Sequence, residues 1–314
     1  MIEPQAISAP VRRTASRSAV PAGPGRRRRS GRGPTMTAMV APSLILIVLI
    51  NAYPLVYAAV QATHHGSLIT TGPYVGLDNF STVLSDPAFW RAARFTLVFT
   101  LVGVFVSWAV GLALSLLLRS DVPGRSVFRV LLLLPWVVPV VVSATSWNWL
   151  VNTSDSPLPV LARTLGFGDV AFLTDPTLAA VTVCAFKVWV SFPFMMMTTG
   201  AALEAVDPVV YEAARMDGAG RIQQFLHITL PLIARPTYIG WILMAIFCVN
   251  DFPTIFLLTG GGPVDATNSL VVYSYRLVFQ NFQPGYGVAV AFLMTAVLTA
   301  VAAVLFRQIR RAAQ

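Results

Sequence analysis

The chain has 314 residues, of which 56% are hydrophobic and only 11% charged, with a mean hydropathy of +0.70. A soluble domain carries about 25% charged residues, so this balance excludes an ordinary water-soluble globule and points to a membrane protein. The net charge of +9 would suit a nucleic-acid surface if it were spread over a folded face. It is not: Arg12, Arg13, Arg17, Arg26, Arg27, Arg28, Arg29 and Arg32 stand in the first 35 residues against Glu3 alone, and the remainder is nearly neutral.

Residues 1–35 are rich in Arg, Ser, Ala, Pro and Gly and have almost no aliphatic periodicity, so they bury too little apolar surface to offset ordering entropy. They are expected to form a disordered basic tail. It serves as a topological anchor, with attraction to anionic lipid headgroups as the functional alternative. Arg12-Arg13 makes a poor twin-arginine export signal, because the apolar run that follows is too long.

A membrane-spanning helix needs about 20 mostly apolar residues, and six stretches meet that need: 36–60, 93–118, 127–149, 176–200, 236–259 and 286–307. Runs of this length without alternation favour helices, so the expected fold is all-α and polytopic with six transmembrane helices. Residues 36–92 would hold the first span and an external loop, and 93–314 the core. Trp90, Trp136, Trp147 and Trp149 lie near span ends and read as interfacial anchors.

Six spans place 17 of the 22 basic residues on one side: the tail, Arg119, Arg125, Arg129, Arg215, Arg221, Arg235, Arg307, Arg310 and Arg311. The other side holds Arg91, Arg94, Arg163 and Arg276, and Lys187 lies within a span. The positive-inside rule then puts both termini and the 204–235 loop in the cytoplasm.

That loop carries its own folding signals. Asp207 can cap a helix and Pro208 fits the first helical position, giving a helix to about Asp217. Gly218 would supply a sharp stop and Gly220 a close approach, before a second short helix through Ile228 that Pro231 ends. Such a helix pair offers a face for a partner's groove, with Ala213 and Ala214 allowing close packing.

The spacing Glu212-Ala213-Ala214, three residues, Gly218, nine residues, Ile228, one residue, Leu230-Pro231 resembles the EAA loop of bacterial ABC importer permeases. Phe252-Pro-Thr-Ile-Phe-Leu-Leu-Thr-Gly-Gly-Gly-Pro263, followed by Tyr273, Tyr275 and Gly285-Tyr286-Gly287, resembles the carbohydrate-uptake branch of that family. The resemblance covers about residues 36–310. It implies the type I importer permease fold in a bacterial cytoplasmic membrane, with Glu212, Ala213, Ala214, Asp217, Gly218, Gly220, Ile228 and Pro231 docking on an ATPase. Arg215 departs from the small or apolar residue often found at its position.

The implied partners are a second homologous permease in a heterodimer, two copies of the ATPase and an extracytoplasmic sugar-binding protein. ATP and Mg would be used by the ATPase. This chain has no cofactor of its own, since it lacks the GxxxxGK[ST] phosphate loop and any HExxH spacing.

Ionisable groups within spans are costly and invite a functional reading. Lys187, Ser191 and Phe194 are spaced to share one helix face, as are Met244, Phe247, Cys248 and Asp251, with Asn250 beside the last. In importers of the resembled type, the spans flanking the EAA loop line the path. Hydroxyl partners and aromatic surface suit a sugar, while a Lys187 to Asp251 ion pair that only fixes helix packing is the structural alternative. Other readings are a permease for glycerol phosphate or a polyamine, or an ion-driven secondary transporter that would use Lys187 and Asp251 but leave the EAA spacing unexplained. An intramembrane enzyme would need a base beside Ser191, and neither a His nor a second Lys is near it in sequence.

Overall fold

A computed structural model describes residues 32–67, 69–119 and 123–311. Most of the expected tail lies outside the described residues, and residues 32–35, assigned to that tail, are instead the first turn of helix α1, Arg32–Ala62. The chain separates after Tyr53 into two units. In the first, the apolar side chains from Met39 onward are largely exposed, as suits a lipid-facing helix. Its polar groups turn back on their own backbone: Ser43 Oγ donates to the Val40 carbonyl and Asn51 Nδ2 to the Ile47 carbonyl, each at 2.8 Å.

The second unit opens with the last turns of α1 and then carries a small two-stranded antiparallel hairpin, β1 (His64–Gly66) and β2 (Thr71–Tyr74), in an otherwise helical fold. Helix α2 (Asp78–Ser85) follows, then α3 (Pro87–Leu117). The second span therefore starts six residues before the expected 93. The reason is local: Asp86 accepts a hydrogen bond from the Ala88 amide at 2.8 Å, and Pro87 needs no donor in the first turn.

The third expected span, 127–149, is not one straight helix. It is α4 (Arg125–Val137) and α5 (Val140–Val151), bent by 92°. Pro139 lacks an amide donor and drives Val138 to an extended ψ of 133°, which breaks the ladder. After α6 (Pro157–Thr164), the long α7 (Pro176–Glu204) starts on Asp175, whose side chain accepts from the Thr177 and Leu178 amides at 2.9 and 2.8 Å.

Helices α8 (Pro208–Met216) and α9 (Arg221–Gln224) form the polar loop. Helix α9 then runs through a π-helical turn, Phe225–Thr229, directly into α10 (Leu230–Val249). Pro231 therefore does not end a helix, contrary to expectation. It sits in the first turn of α10, and the wider π turn opens the ladder where the proline ring would otherwise meet a carbonyl. The fifth span also stops at Val249 rather than 259. Asp251 caps a separate helix, α11 (Phe252–Leu258), by accepting from the Thr254 amide at 3.1 Å. Helix α12 (Leu270–Tyr275), a second π turn over Arg276–Gln280 and α13 (Pro284–Arg311) complete the chain.

Among the described residues five helices are long and apolar enough to cross a membrane, or six if the bent α4–α5 pair is one span. The core lies where α3 meets α7 and α10, around Phe99, Phe186, Met195 and Met244. Close approach needs missing side chains. A Cβ on Gly111 would lie 2.6 Å from the Met196 nitrogen, and one on Gly103 would lie 2.7 Å from Cys248 Sγ. At the other end Tyr273 OH donates to Asp86 at 2.5 Å, and burial together with that carboxylate pushes the phenol upward in pKa.

Gly111→Ala should therefore lower the thermal midpoint of the purified protein, by an overpacking cost of about 1–3 kcal/mol. Gly240→Ala, whose Cβ would meet only ordinary contacts at 3.7 and 3.8 Å, should leave it nearly unchanged.

Candidate functional site

The polar loop folds through its own caps. Asp207 accepts from the Val209 amide at 2.9 Å, with Pro208 opening α8 as expected. The helix ends when the Gly218 and Ala219 amides return to the Arg215 and Ala214 carbonyls, at 3.1 and 2.9 Å. Gly218 adopts φ +81° with nothing near the position of a Cβ, so it is needed for its backbone and not for space. Gly220 does not mediate the expected close approach: the nearest atom to its Cβ position is Gln223 Oε1 at 3.8 Å. Its amide instead donates to that same oxygen at 2.9 Å, opening α9.

The EAA residues point in two directions. Ala214 is buried, and Tyr211 one turn before it packs on the cluster of Leu112, Leu203, Val206 and Ile233. Glu212, Ala213 and Asp217 are exposed, and Val209 and Met216, at 63% and 89% exposure, continue an apolar stripe through Ala213 at helical spacing. Ile228 is half-buried in the π turn and Pro231 is exposed. A hollow of about 440 Å³ lies between Asp217, Gly218 and Ala219 on one side and Gln223, His227 and Ile228 on the other. Tyr211 OH lies 3.1 Å from Thr229 Oγ1, and the Arg119 guanidinium lies over the Tyr211 ring at 5.1 Å. These contacts tie α8 to the foot of α10 and the end of α3.

The residues expected to line a substrate path divide. Lys187 Nζ of α7 donates to Asp251 Oδ2 at 2.7 Å, with the two side chains only 7% and 8% exposed. Thr254 Oγ1 donates to the same oxygen at 2.9 Å, and Lys187 Nζ lies 5.9 Å from the centre of the Phe99 ring. Ser191, Met244 and Cys248 are buried around them, so these five residues face the helix packing. Phe194 and Phe247 reach the surface and Asn250 is exposed, its side chain donating to the Ile246 carbonyl at 2.9 Å.

Sequence reasoning missed the third member of this rim. Trp136, read as an interfacial anchor, stacks on Phe194 at 5.2 Å and lies 6.3 Å from Phe247, with the two phenylalanines 6.0 Å apart. Its position three residues before the helix-breaking Pro139 was the available signal. Trp147 likewise packs inward, against Phe186 and Trp189, whereas Trp90 and Trp149 are exposed. Among the described residues no cluster of His, Cys, Asp and Glu is arranged to hold a metal.

Residues 103–314 match the family described as binding-protein-dependent transport system inner membrane component. The chain is 30% identical over 275 residues to the sulfoquinovosyl glycerol transport system permease protein SmoG of Agrobacterium fabrum, covering 87% of this chain and 89% of that one. It is 33% identical over 239 residues to the trehalose/maltose transport system permease protein MalF of Thermococcus litoralis, covering 76% and 81%. Its fold is similar to that of a chain in a bacterial ABC transporter involved in the import of alginate, with a TM-score of 0.76 at 22% identity over 89% of this chain and 96% of that one. The chain belongs to the family of binding-protein-dependent transport system inner membrane components, and is a multi-pass transport permease and not an enzyme.

Proposed function

We propose that this permease imports a sugar, most simply a disaccharide or oligosaccharide, as half of a translocation path driven by a separate ATPase. The observation that carries the ATPase coupling is the capped helix α8. It presents Glu212 and the Val209–Ala213–Met216 stripe outward while Ala214 and Tyr211 anchor it to the span bundle. An exposed apolar stripe on a short helix suits a groove on a partner. The asymmetry of 17 basic residues against 4 supports a cytoplasmic position for this loop and both termini.

In this reading two ATPase copies close on ATP and Mg, a second similar permease completes the path, and a sugar-loaded binding protein docks on the outer side. The sugar class rests on the names of the two relatives and on the Trp136–Phe194–Phe247 cluster, whose ring faces suit the C–H faces of a pyranose, with Asn250 nearby for hydroxyls. The Lys187–Asp251 pair serves behind that rim as a brace between α7 and the junction of α10 and α11.

Coupling requires that the loop make different contacts in the two states of the importer. In the assembled complex, reconstituted with a sugar-loaded binding protein, Gly218→Pro should assemble poorly or hydrolyse ATP without uptake. Wild-type coupling in that variant would refute the docking role of the loop.

The two groups around the path separate by assay. Trp136→Ala and Phe247→Ala should each weaken sugar-stimulated uptake by about tenfold, the scale of a lost ring contact of ~1.4 kcal/mol, with little change in thermal midpoint. Lys187→Met should lower the midpoint strongly, since removing one partner of a buried pair costs about 3–5 kcal/mol. Lys187→Met/Asp251→Asn should recover part of that loss, because no uncompensated charge is left. A double variant less stable than either single one would rule out the brace.

A further inference from the structure

A second site lies beside the coupling loop, where the end of α3, the start of α4 and the end of α7 meet. They enclose a cleft of about 450 Å³, within the range of small-molecule pockets. Arg119, Arg125 and Arg129 line it, and among the described residues of its wall Glu204 is the acidic one. The charges are poorly matched. Arg129 reaches Glu204 only at 3.7 Å, beyond the 2.7–2.9 Å of a strong charge-assisted bond, and both side chains are largely exposed. Arg119 spends its charge on the Tyr211 ring and hydroxyl, and Arg125 has no hydrogen-bond or ion-pair partner among the described residues.

The other end of the cleft is apolar. Arg125, Arg129 and Leu133 are spaced four residues apart along one face of α4, so the lining grades from cationic to hydrocarbon within two turns. Met197 of α7 joins Leu133 at the apolar end of the cleft. A free anion would use only the basic end, whereas a lipid uses both. We propose that this cleft binds the phosphate-bearing headgroup of an anionic lipid, with an acyl chain laid along α4.

Guanidinium forks bind phosphate oxygens in pairs, and basic pockets between spans on the cytoplasmic side suit such headgroups. The site also bears on coupling. A phosphate in the cleft draws on Arg119, whose present partner Tyr211 precedes Glu212 and contacts Thr229. Headgroup occupancy is thereby linked to the seating of α8. This link and the cytoplasmic position of the cleft rest on the function proposed above.

The test uses the assembled importer. Native mass spectrometry reads retention of phosphatidylglycerol against phosphatidylcholine, and binding-protein-stimulated ATPase is read in nanodiscs of either lipid. Wild type should retain phosphatidylglycerol and show higher stimulated ATPase in it. Arg125→Gln/Arg129→Gln should lower retention by about fivefold or more, the scale of losing two basic contacts to an anionic headgroup, and remove the lipid dependence of the ATPase. Leu133→Glu, which leaves the arginines in place, should also lower retention.

Arg307→Gln removes one charge on the same expected side, away from the cleft, and should change neither readout. Equal retention in the double variant and wild type, or an equal fall with Arg307→Gln, overturns the site. Inorganic phosphate that reproduces the ATPase effect in phosphatidylcholine, with no preference for phosphatidylglycerol, overturns the lipid as occupant. Retention is read without ATP or sugar, so failure of the coupling reading leaves that result distinct.

Discussion

Asp251 receives Lys187 and the Thr254 hydroxyl on one carboxylate oxygen and the Thr254 amide on the other, so the middle of α7, the end of α10 and the start of α11 share one electrostatic anchor. In water such a pair would contribute little. In an apolar interior each charge is tolerable only because the other is present and its remaining hydrogen-bonding positions are filled. The pair depends in turn on the glycines of α3. Gly103 leaves room for Cys248 and the Lys187 stem, and Gly111 lets the α3 backbone reach α7. Packing without side chains on one helix thus fixes where the charged groups of two others meet.

The aromatic rim stands on that arrangement. Phe194 lies two turns along α7 from Lys187, and Phe247 precedes Cys248, so the residues that bury the ion pair also orient the rings. Trp136 joins them from α4 because the chain bends by 92° just beyond it. The rim is therefore built from three spans whose relative position is set by the core behind them. Such a division keeps the charged brace away from solvent while leaving polarisable surface exposed.

Much of the fold was legible in the sequence because its signals are local. Span existence follows from apolar length, and the Asp-Pro pair at 207–208 correctly announced a helix start. The same pair at 86–87 and 175–176 would have placed the starts of α3 and α7 with equal accuracy. Two of the misreadings came from prolines. Pro231 has the composition of a terminator, but a π turn absorbs it, and that turn depends on how α10 packs. Pro139 was passed over inside an apolar run, although it divides α4 from α5. For the site, helical spacing identified both faces that hold Lys187 and Asp251. It could not reveal which members turn inward, because that depends on α3, a helix distant in sequence.

The π turn at Phe225–Thr229 makes α9, the second helix of the polar loop, and the fifth span one continuous rod. Each residue of an α-helix advances about 100° around its axis, so the extra residue held in the turn sets the rotational phase between α9 and Phe247. Loop length is consequently a phase setting. An insertion or deletion here would swing Phe247 around the axis of α10, away from Trp136 and Phe194, even if every cap and every contact of α8 were preserved, whereas a change of length in the turn that joins β1 to β2 would carry no such penalty.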